Sequence, residues 1–237
     1  ADVASWRNVP GVKAVWVNSP CNPTGEVYSA ERMAGIVAAV REIGAVVLSD
    51  ECYALMQWRG ATNSADDDPL QSTPCALRSD VCAGSAEGVL VLYSLSKQSN
   101  MAGYRTAFIA GDESLIASMS AYRKQIGQII PGPVQAAMAA GLRDLESVKV
   151  QHARYRERLG VLVSALRAYG YCTDMPDGAL YVWVRAKSGD CWTDMEQLAK
   201  IGIIASPGEF YGAPECLRFS ATASDEAIAS AAERLAR

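Results

Sequence analysis

The chain has 237 residues, of which half are apolar and a fifth are charged, and this balance excludes a disordered or fibrous protein. Its net charge is −4 and its lysines and arginines form no basic stripe, so nucleic acid is not an expected partner. The apolar runs are far shorter than the roughly 20 residues that span a bilayer, and residues 1–20 lack the pattern of a signal peptide. We therefore expect no membrane partner and a cytoplasmic location.

The first half of the chain alternates apolar strands with helical segments. Strands are predicted at 12–18, 45–50 and 89–94, and a helix capped by Ser29 is predicted up to residue 41. Because these strands are apolar on both faces, as in a parallel sheet covered by helices, the fold class is α/β. Residues 59–88 are rich in Asp, Ser, Ala, Gly and Pro, which predicts a mobile surface excursion.

The second half is more helical and has shorter strands. From Asp112 the pattern is helical, and Pro131 and Pro133 interrupt it before a second helix at 134–143. Further elements are predicted as a charged helix at 146–169, strands at 179–184, 203–206 and 217–221, and helices at 193–201 and 224–237. These shorter strands among helices favour a second, smaller α+β domain.

The cysteines and the histidine limit the chemistry. The seven cysteines include no C-x-x-C pair, which indicates free and mostly buried thiols rather than disulfides or a zinc ribbon. His152 is the only histidine, and its charged neighbours predict a solvated helix face. One histidine cannot supply a hydrolase triad or a multi-histidine centre without another chain, so we expect no metal site.

Polar residues follow three of the predicted strands. The chain has neither G-x-G-x-x-G nor a P-loop motif, so the common nucleotide cradles are absent from it. In doubly wound sheets, ligands bind beyond the carboxyl ends of the strands. The polar segments at those ends are residues 18–25, 50–53 and 94–97.

Lys97 is the lysine with the most unusual sequence context. It directly follows an apolar strand, in a predicted loop of small hydroxyl residues. A lysine at a dry strand end can lose its charge and attack a carbonyl group, whereas most loop lysines simply reach into solvent. Asp50, at another strand end, needs a cation or a protonated ring nitrogen as its partner.

Three further residues offer donors to a phosphate group. Ser94 and Ser96 carry hydroxyls, and Arg105 carries a guanidinium fork eight residues after Lys97. Pyridoxal phosphate combines an aldehyde, a pyridine nitrogen, a phenolic oxygen and a phosphate, and it would satisfy Lys97, Asp50 and these donors together. The residues therefore favour this cofactor.

Five motifs occur in the order found in class I and II aminotransferases of fold type I. They are N-P-T-G at 22–25, D-E-x-Y at 50–53, S-L-S-K at 94–97, G-Y-R at 103–105 and C-L-R-F-S at 216–220. The chain resembles this family over essentially its whole length. Within the family, the chain is most similar to actinobacterial N-succinyldiaminopimelate aminotransferases of lysine biosynthesis. The segments that carry this similarity are S-L-S-K-Q-S-N-M-A-G-Y-R, P-G-P-V-Q-A-A-M and P-G-E-F-Y-G.

The resemblance implies a three-layer, pyridoxal-phosphate-dependent transferase fold of type I. Residues 1–144 would be the remaining part of the large cofactor-binding domain, and residues 145–237 a small C-terminal α+β domain. Chains of this family are longer, so the sequence is interpreted as a C-terminal portion whose large domain lacks its N-terminal part. The resemblance also implies a homodimer with small amino acid and keto acid substrates.

The resemblance assigns catalytic roles to residues at the strand ends. Lys97 would hold the cofactor covalently and later move the α proton of the substrate. Asp50 would keep the pyridine nitrogen protonated, and Asn22 and Tyr53 would hydrogen-bond the phenolic oxygen. For Tyr53, the ordinary alternative is a core aromatic.

The remaining site residues are assigned to binding by the same resemblance. Ser94, Ser96 and Arg105 would bind the cofactor phosphate. Arg218 would bind the substrate carboxylate as a fork, with Asn22 beside it. For Arg218, the ordinary alternative is a surface arginine on an edge strand.

The leading hypothesis is transamination between N-succinyldiaminopimelate and 2-oxoglutarate. A different amino acid aminotransferase, or a C-S lyase of the same fold, would keep the same residues. Two hypotheses without catalysis by this chain are a non-catalytic aminotransferase-like sensor domain fused to a DNA-binding module, and an inactive portion that folds only with its missing half.

Overall fold

The computed structural model describes residues 2–58 and 73–236, and these divide into two units. The first unit contains residues 2–20, 27–55 and 73–149 of this part of the chain. The second contains residues 21–26, 56–58 and 150–236. The division of the protein into domains at residues 144 and 145 stays a prediction.

The first unit is built on a mixed sheet. Its strands are β1 (Ala14–Asn18), β2 (Val46–Asp50), β3 (Val89–Ser94) and β4 (Ala107–Gly111), and they lie in that order in the sheet. The β1, β2 and β3 strands are parallel, whereas β4 is antiparallel to β3. The parallel part confirms the predicted α/β layer, and it brings the carboxyl ends of three strands to the same edge.

The first unit contains five complete α-helices in its described part, which are, in chain order, α1 (Ala4–Arg7), α2 (Ala30–Glu42), α3 (Leu95–Gln98), α4 (Glu113–Gln125) and α5 (Gly132–Arg143). The α4 and α5 helices contain no buried residue, although both carry large apolar side chains. Tyr122 on α4, for example, is 65% exposed.

Helix α2 covers the sheet and confirms the predicted helix. The Ser29 hydroxyl accepts a hydrogen bond from the backbone of Arg32 at 3.1 Å, a cap that contributes about 1 kcal/mol. The apolar face of α2 packs into the core that the strands β1, β2 and β3 share. Its fully buried members are Met33, Ile36, Val37 and Val40.

The predicted surface excursion at 59–88 is wrong for part of its described portion, whereas its mobility stays a prediction. Residues 59–72 lie outside the described residues, but residues 73–88 form turns that pack against the sheet. Ala76 and Val81 are buried in the same core as α2, and the backbone of Thr73 donates to the carbonyl of Ala54 at 3.0 Å. Small polar residues here form tight turns.

The second unit contains an antiparallel sheet of β5 (Tyr181–Arg185), β6 (Ser206–Pro207) and β7 (Cys216–Ser220), in the order β5-β7-β6. Helix α6 (Leu145–Ala168) begins in the first unit and continues into the second. The later helices of the second unit include α7 (Cys191–Lys200) and α8 (Asp225–Leu235). The predicted strand at 203–206 is mostly absent, since only Ser206 of that range is in a strand.

His152 corrects another sequence expectation. Its imidazole is buried rather than solvated, and it packs on Trp58 with ring centroids 4.6 Å apart. Its Nε2 lies 3.3 Å from the carbonyl oxygen of Gln57. Burial lowers the pKa of His152, the Gln57 contact opposes this, and the charge of Arg156 adds to the lowering.

Acidification should therefore destabilise the protein through His152. Because the folded pKa is lower than the ordinary value of 6.5, the unfolded chain takes up the proton first as the pH falls. The contribution of neutral, buried His152 to the free energy of unfolding is complete above pH 6.5. This contribution is lost as the pH falls from 6.5 through the folded pKa. We expect a smaller drop in denaturation midpoint between pH 7.5 and 5 for His152→Phe than for the wild type; equal drops would contradict this role.

Candidate active site

Asp50 ends strand β2 and is held by the neighbouring strand end. Asn18 is its register partner on β1, and the Asn18 side-chain amide donates to the Asp50 carbonyl at 3.2 Å. One carboxylate oxygen of Asp50 accepts a hydrogen bond from the backbone of Cys52 at 3.1 Å. The first contact holds the backbone of Asp50, and the second fixes the direction of its carboxylate at the edge where the parallel strands end.

The adjacent Glu51 has a different role. Successive side chains of an extended segment point to opposite sides, and Glu51 is buried on the side away from Asp50. Its Oε1 accepts from the Ser49 hydroxyl at 2.9 Å and from the backbone of Ala76 at 2.8 Å. Burial is the main cause that raises the pKa of Glu51. Glu51 therefore ties the turn at Ala76 to the strand end.

Lys97 lies on the short helix α3 rather than in the predicted loop. Its ammonium is 5.6 Å from the centroid of the buried Tyr53 ring. Within the described part of the chain, the Lys97 amine has no hydrogen bond and no ion pair. A partly buried amine without an acidic partner is uncommon, because a buried charge is usually paired.

Cys52 lies among these groups, and sequence reasoning missed it. Burial raises the pKa of its thiol to about 12, and a hydrogen bond to Asp50 and the charge of Asp50 act in the same direction. The charge of Lys97 acts in the opposite direction. The charges of Asp50 and Lys97 both act on Cys52, and the Lys97 amine lies beside the Tyr53 ring, so these residues belong to one region of the first unit. The position of Cys52 inside the D-E-x-Y motif was the signal that could have found it.

Two serines, Ser94 and Ser96, lie at the junction between strand β3 and helix α3. Ser94 caps this helix, because its hydroxyl oxygen accepts from the backbone of Ser96 at 3.1 Å. The Ser94 hydroxyl also lies 3.1 Å from the carbonyl oxygen of Thr106, to which it donates. The two serine hydroxyl oxygens are 2.8 Å apart. Since Ser94 donates its proton to Thr106, the Ser96 hydroxyl is the donor to Ser94.

Arg105 precedes β4 in an unusual backbone conformation. Its φ is +53°, in the left-handed region that residues with a Cβ rarely adopt. Its side chain is exposed, and Nη1 donates to the carbonyl of Ala102 at 3.1 Å. Among the described residues it has no acidic partner. An exposed guanidinium in this state is available to an anion.

The second unit contains Asn22 and Arg218, which are 196 positions apart in the sequence. Arg218, on β7, donates from Nη1 to the side-chain oxygen of Asn22 at 2.7 Å. The turn of Asn22 is fixed by Gly25, whose φ is +75°. A Cβ on Gly25 would lie 2.7 Å from Cβ of Pro176, so a larger residue would displace the turn.

The predicted site residues therefore form two sets. The set in the first unit comprises Asp50, Tyr53, Ser94, Ser96, Lys97 and Arg105, and the set in the second comprises Asn22 and Arg218. Their assigned roles toward cofactor and substrate stay predictions. All seven cysteines are free, but the prediction that most of them are buried is wrong, because only Cys82, Cys191 and Cys216 are buried.

The fold and these residues define a class of enzyme, and comparison with known proteins identifies it. The sequence model of the family "Aminotransferase class I and II" matches residues 4–235. The chain belongs to this family, whose enzymes depend on pyridoxal phosphate.

Individual relatives and solved structures agree with this membership. The chain is 42% identical to 4-dedimethylamino-4-oxo-anhydrotetracycline transaminase OxyQ of Streptomyces rimosus, over 94% of this chain and 60% of that protein. It is 29% identical to an LL-diaminopimelate aminotransferase of Syntrophobacter fumaroxidans, over 94% of this chain and 55% of that one. Thermus thermophilus aspartate aminotransferase with maleate superposes with a TM-score of 0.83 at 27% identity, over 100% of this chain and 60% of that structure. The chain thus spans little more than half the length of these relatives, and its fold is that of type I aminotransferases.

None of the helices in the described parts of the chain is both long enough and apolar enough to cross a bilayer.

Proposed function

We propose that the full-length protein is a pyridoxal-phosphate-dependent aminotransferase that exchanges an amino group between an amino acid and a keto acid. The observation that carries this proposal is the environment of the Lys97 amine, which follows the end of β3. This amine lacks an acidic partner among the described residues and lies beside the Tyr53 ring. An unpaired amine of this kind is suited to covalent attachment of an aldehyde.

The donor set of the first unit fits the cofactor. Asp50 supplies a carboxylate of fixed direction, and the exposed Arg105 supplies a guanidinium without an acidic partner in the described chain. Within this unit, Lys97 would hold the aldehyde, Tyr53 the phenolic oxygen, and Ser94, Ser96 and Arg105 the phosphate. When bound, pyridoxal phosphate supplies an electron-accepting ring that stabilises negative charge at the substrate α carbon.

Each residue then contributes a binding or proton-transfer step. When the cofactor is bound, the Asp50 carboxylate would hold a proton on the ring nitrogen by charge and hydrogen bonding. The Lys97 Nζ accepts the α proton of the amino acid as a general base. Arg218 binds the α-carboxylate, since a guanidinium offers two parallel hydrogen bonds to this group.

The finer proposal is that the two substrate pairs are glutamate with 2-oxoglutarate and N-succinyldiaminopimelate with its keto acid, in lysine biosynthesis. The similarity to an LL-diaminopimelate aminotransferase supports a diaminopimelate-type substrate. The higher identity to OxyQ supports a second candidate, in which the amino group goes to a larger ketone of the tetracycline type. We further propose a cytoplasmic homodimer that acts on small molecules and binds no nucleic acid.

A half-reaction assay on the full-length holoenzyme tests this proposal. Each amino acid is added alone, and transfer of its amino group is read from the loss of the yellow colour of the cofactor. We expect rapid conversion by glutamate and N-succinyldiaminopimelate, and slow conversion by aspartate and aromatic amino acids. Preference for an aromatic donor would replace the substrate assignment, and release of pyruvate from a sulfur amino acid would indicate the lyase. A bound cofactor that no amino acid converts would favour the sensor domain.

A further inference from the structure

We propose that Tyr211 is a positioning residue that holds the Arg218 guanidinium in place for a carboxylate ligand. This inference rests on the proposed function, because the ligand is the α-carboxylate that amino acid and keto acid substrates share. It concerns residues of the second unit alone.

The Arg218 guanidinium contacts two aromatic rings. Its Cζ lies 4.2 Å from the ring centroid of Tyr181 and 4.9 Å from that of Tyr211. Both distances are within the range of cation–π attraction. With the hydrogen bond from Nη1 to Asn22, these contacts restrain the far end of a long and otherwise flexible side chain.

The charge of Arg218 is not neutralised by the described residues. None of their acidic side chains forms an ion pair with it, and its buried Nε has no hydrogen-bond partner among them. Aromatic rings stabilise a cation without cancelling its charge. The guanidinium is therefore both restrained and able to bind an anion.

Tyr211 is itself held by two neighbours of Arg218 in the sheet. Its hydroxyl lies 3.2 Å from the hydroxyl of Ser206, and its ring meets the edge of Trp183 at 89° with centroids 5.7 Å apart. Trp183 on β5 and Ser206 on β6 are both register partners of Arg218 on β7. The ring is thus positioned from the two strands that flank Arg218.

The turn that carries Tyr211 packs directly on the beginning of β7. This turn, Gly208–Tyr211, belongs to the P-G-E-F-Y-G segment, for which the proposed chemistry gives no role. A Cβ on Gly208 would lie 2.2 Å from the carbonyl oxygen of Ala213 and 2.4 Å from that of Cys216. Only glycine allows this approach, which fixes Tyr211 relative to a backbone two residues from Arg218.

Loss of the Tyr211 ring should weaken carboxylate binding and leave the rate of the chemical step nearly unchanged. A freely moving arginine must be ordered when the ligand binds, whereas a restrained one has already lost that freedom. Because both substrates of a transaminase present an α-carboxylate, the effect should be equal for amino acid and keto acid. A contact with the side chain of one substrate would instead change only one of the two.

The test compares Tyr211→Leu, Tyr211→Phe and wild type as full-length holoenzymes. Calorimetry measures the binding of maleate, a dicarboxylate without an amino group that cannot be converted, and kinetics give KM and kcat for glutamate and 2-oxoglutarate. For Tyr211→Leu we expect the maleate Kd and both KM values to rise together, roughly two- to tenfold, with little change in kcat. Tyr211→Phe, which keeps the ring, should restore values near those of the wild type.

Phe210→Leu is the matched control, because it removes the adjacent ring of the same turn. Phe210 is 70% exposed and packs on Trp192 rather than on Arg218. Wild-type values for this variant support the inference. An unchanged maleate Kd in Tyr211→Leu, or no maleate binding to the wild type, overturns it. Weaker maleate binding in that variant, with no transamination by the wild type, would retain the inference and refute only the proposed function.

Discussion

Replacing Lys97 by alanine should lower turnover by more than about a thousandfold, because the variant has no amine to accept the α proton. The same change should leave part of the cofactor affinity intact. Asp50 and Arg105 would still offer a charged partner to the ring and to the phosphate, and the hydrogen bonds that hold these two side chains do not involve Lys97. Lys97→Ala should therefore lower the turnover rate much more than it lowers the affinity for the cofactor.

Covalent mapping measures the attachment of the cofactor to Lys97 directly. Borohydride treatment of the yellow wild-type holoenzyme should fix the cofactor irreversibly, and peptide mapping should find it on Lys97. Lys200→Ala is a suitable control, since Lys200 is exposed on α7 and its amine contacts only Gln197 among the described residues. Attachment to another lysine, or full turnover by Lys97→Ala, would disprove the assignment.

Asp50→Asn should lower kcat by about a hundredfold or more and change substrate affinity much less. Asparagine keeps the shape and can still accept the hydrogen bond from the backbone of Cys52. It loses the negative charge that, in the proposed function, holds a proton on the ring nitrogen, and a preorganised charge of this kind acts mainly on the transition state.

Arg218→Lys is the contrasting variant and should mainly raise KM. An ammonium is a point charge that cannot make the two parallel hydrogen bonds of a guanidinium, and it would also lose the geometry of the contact with Asn22. Steady-state kinetics of both variants, with glutamate and 2-oxoglutarate, separate the two roles. Identical changes in kcat and KM for Asp50→Asn and Arg218→Lys would contradict this division of labour.

Local sequence patterns predicted the elements that depend on short-range interactions. Helix α2 was predictable because one short segment contains both a capping residue, Ser29, and apolar residues that recur at helical spacing. Strand β3 was predictable for a similar reason, since its apolar run is continuous and ends in polar residues. The strand predicted at 203–206 was mostly wrong, because β-branched residues alone do not determine pairing with a neighbouring strand.

The polar groups at the strand ends also followed from the sequence. Parallel strands bring their carboxyl ends together, so Asp50 and Lys97 could be expected at one edge from their positions at the ends of predicted strands. What the sequence did not disclose was the arrangement around them. The cap made by Ser94, for example, became visible only with side-chain positions.

The amino-acid sequence was sufficient to predict the α/β class, the capped helix and the types of residue at the strand ends, because each depends on neighbours within a few positions. The three-dimensional structure was needed to show that Asn22 contacts Arg218 and that Tyr211 contacts the same guanidinium. It also showed that His152 is buried on Trp58, despite its charged neighbours in sequence. These contacts join residues that are distant in the chain, and their formation depends on how whole elements pack, which local propensity does not determine.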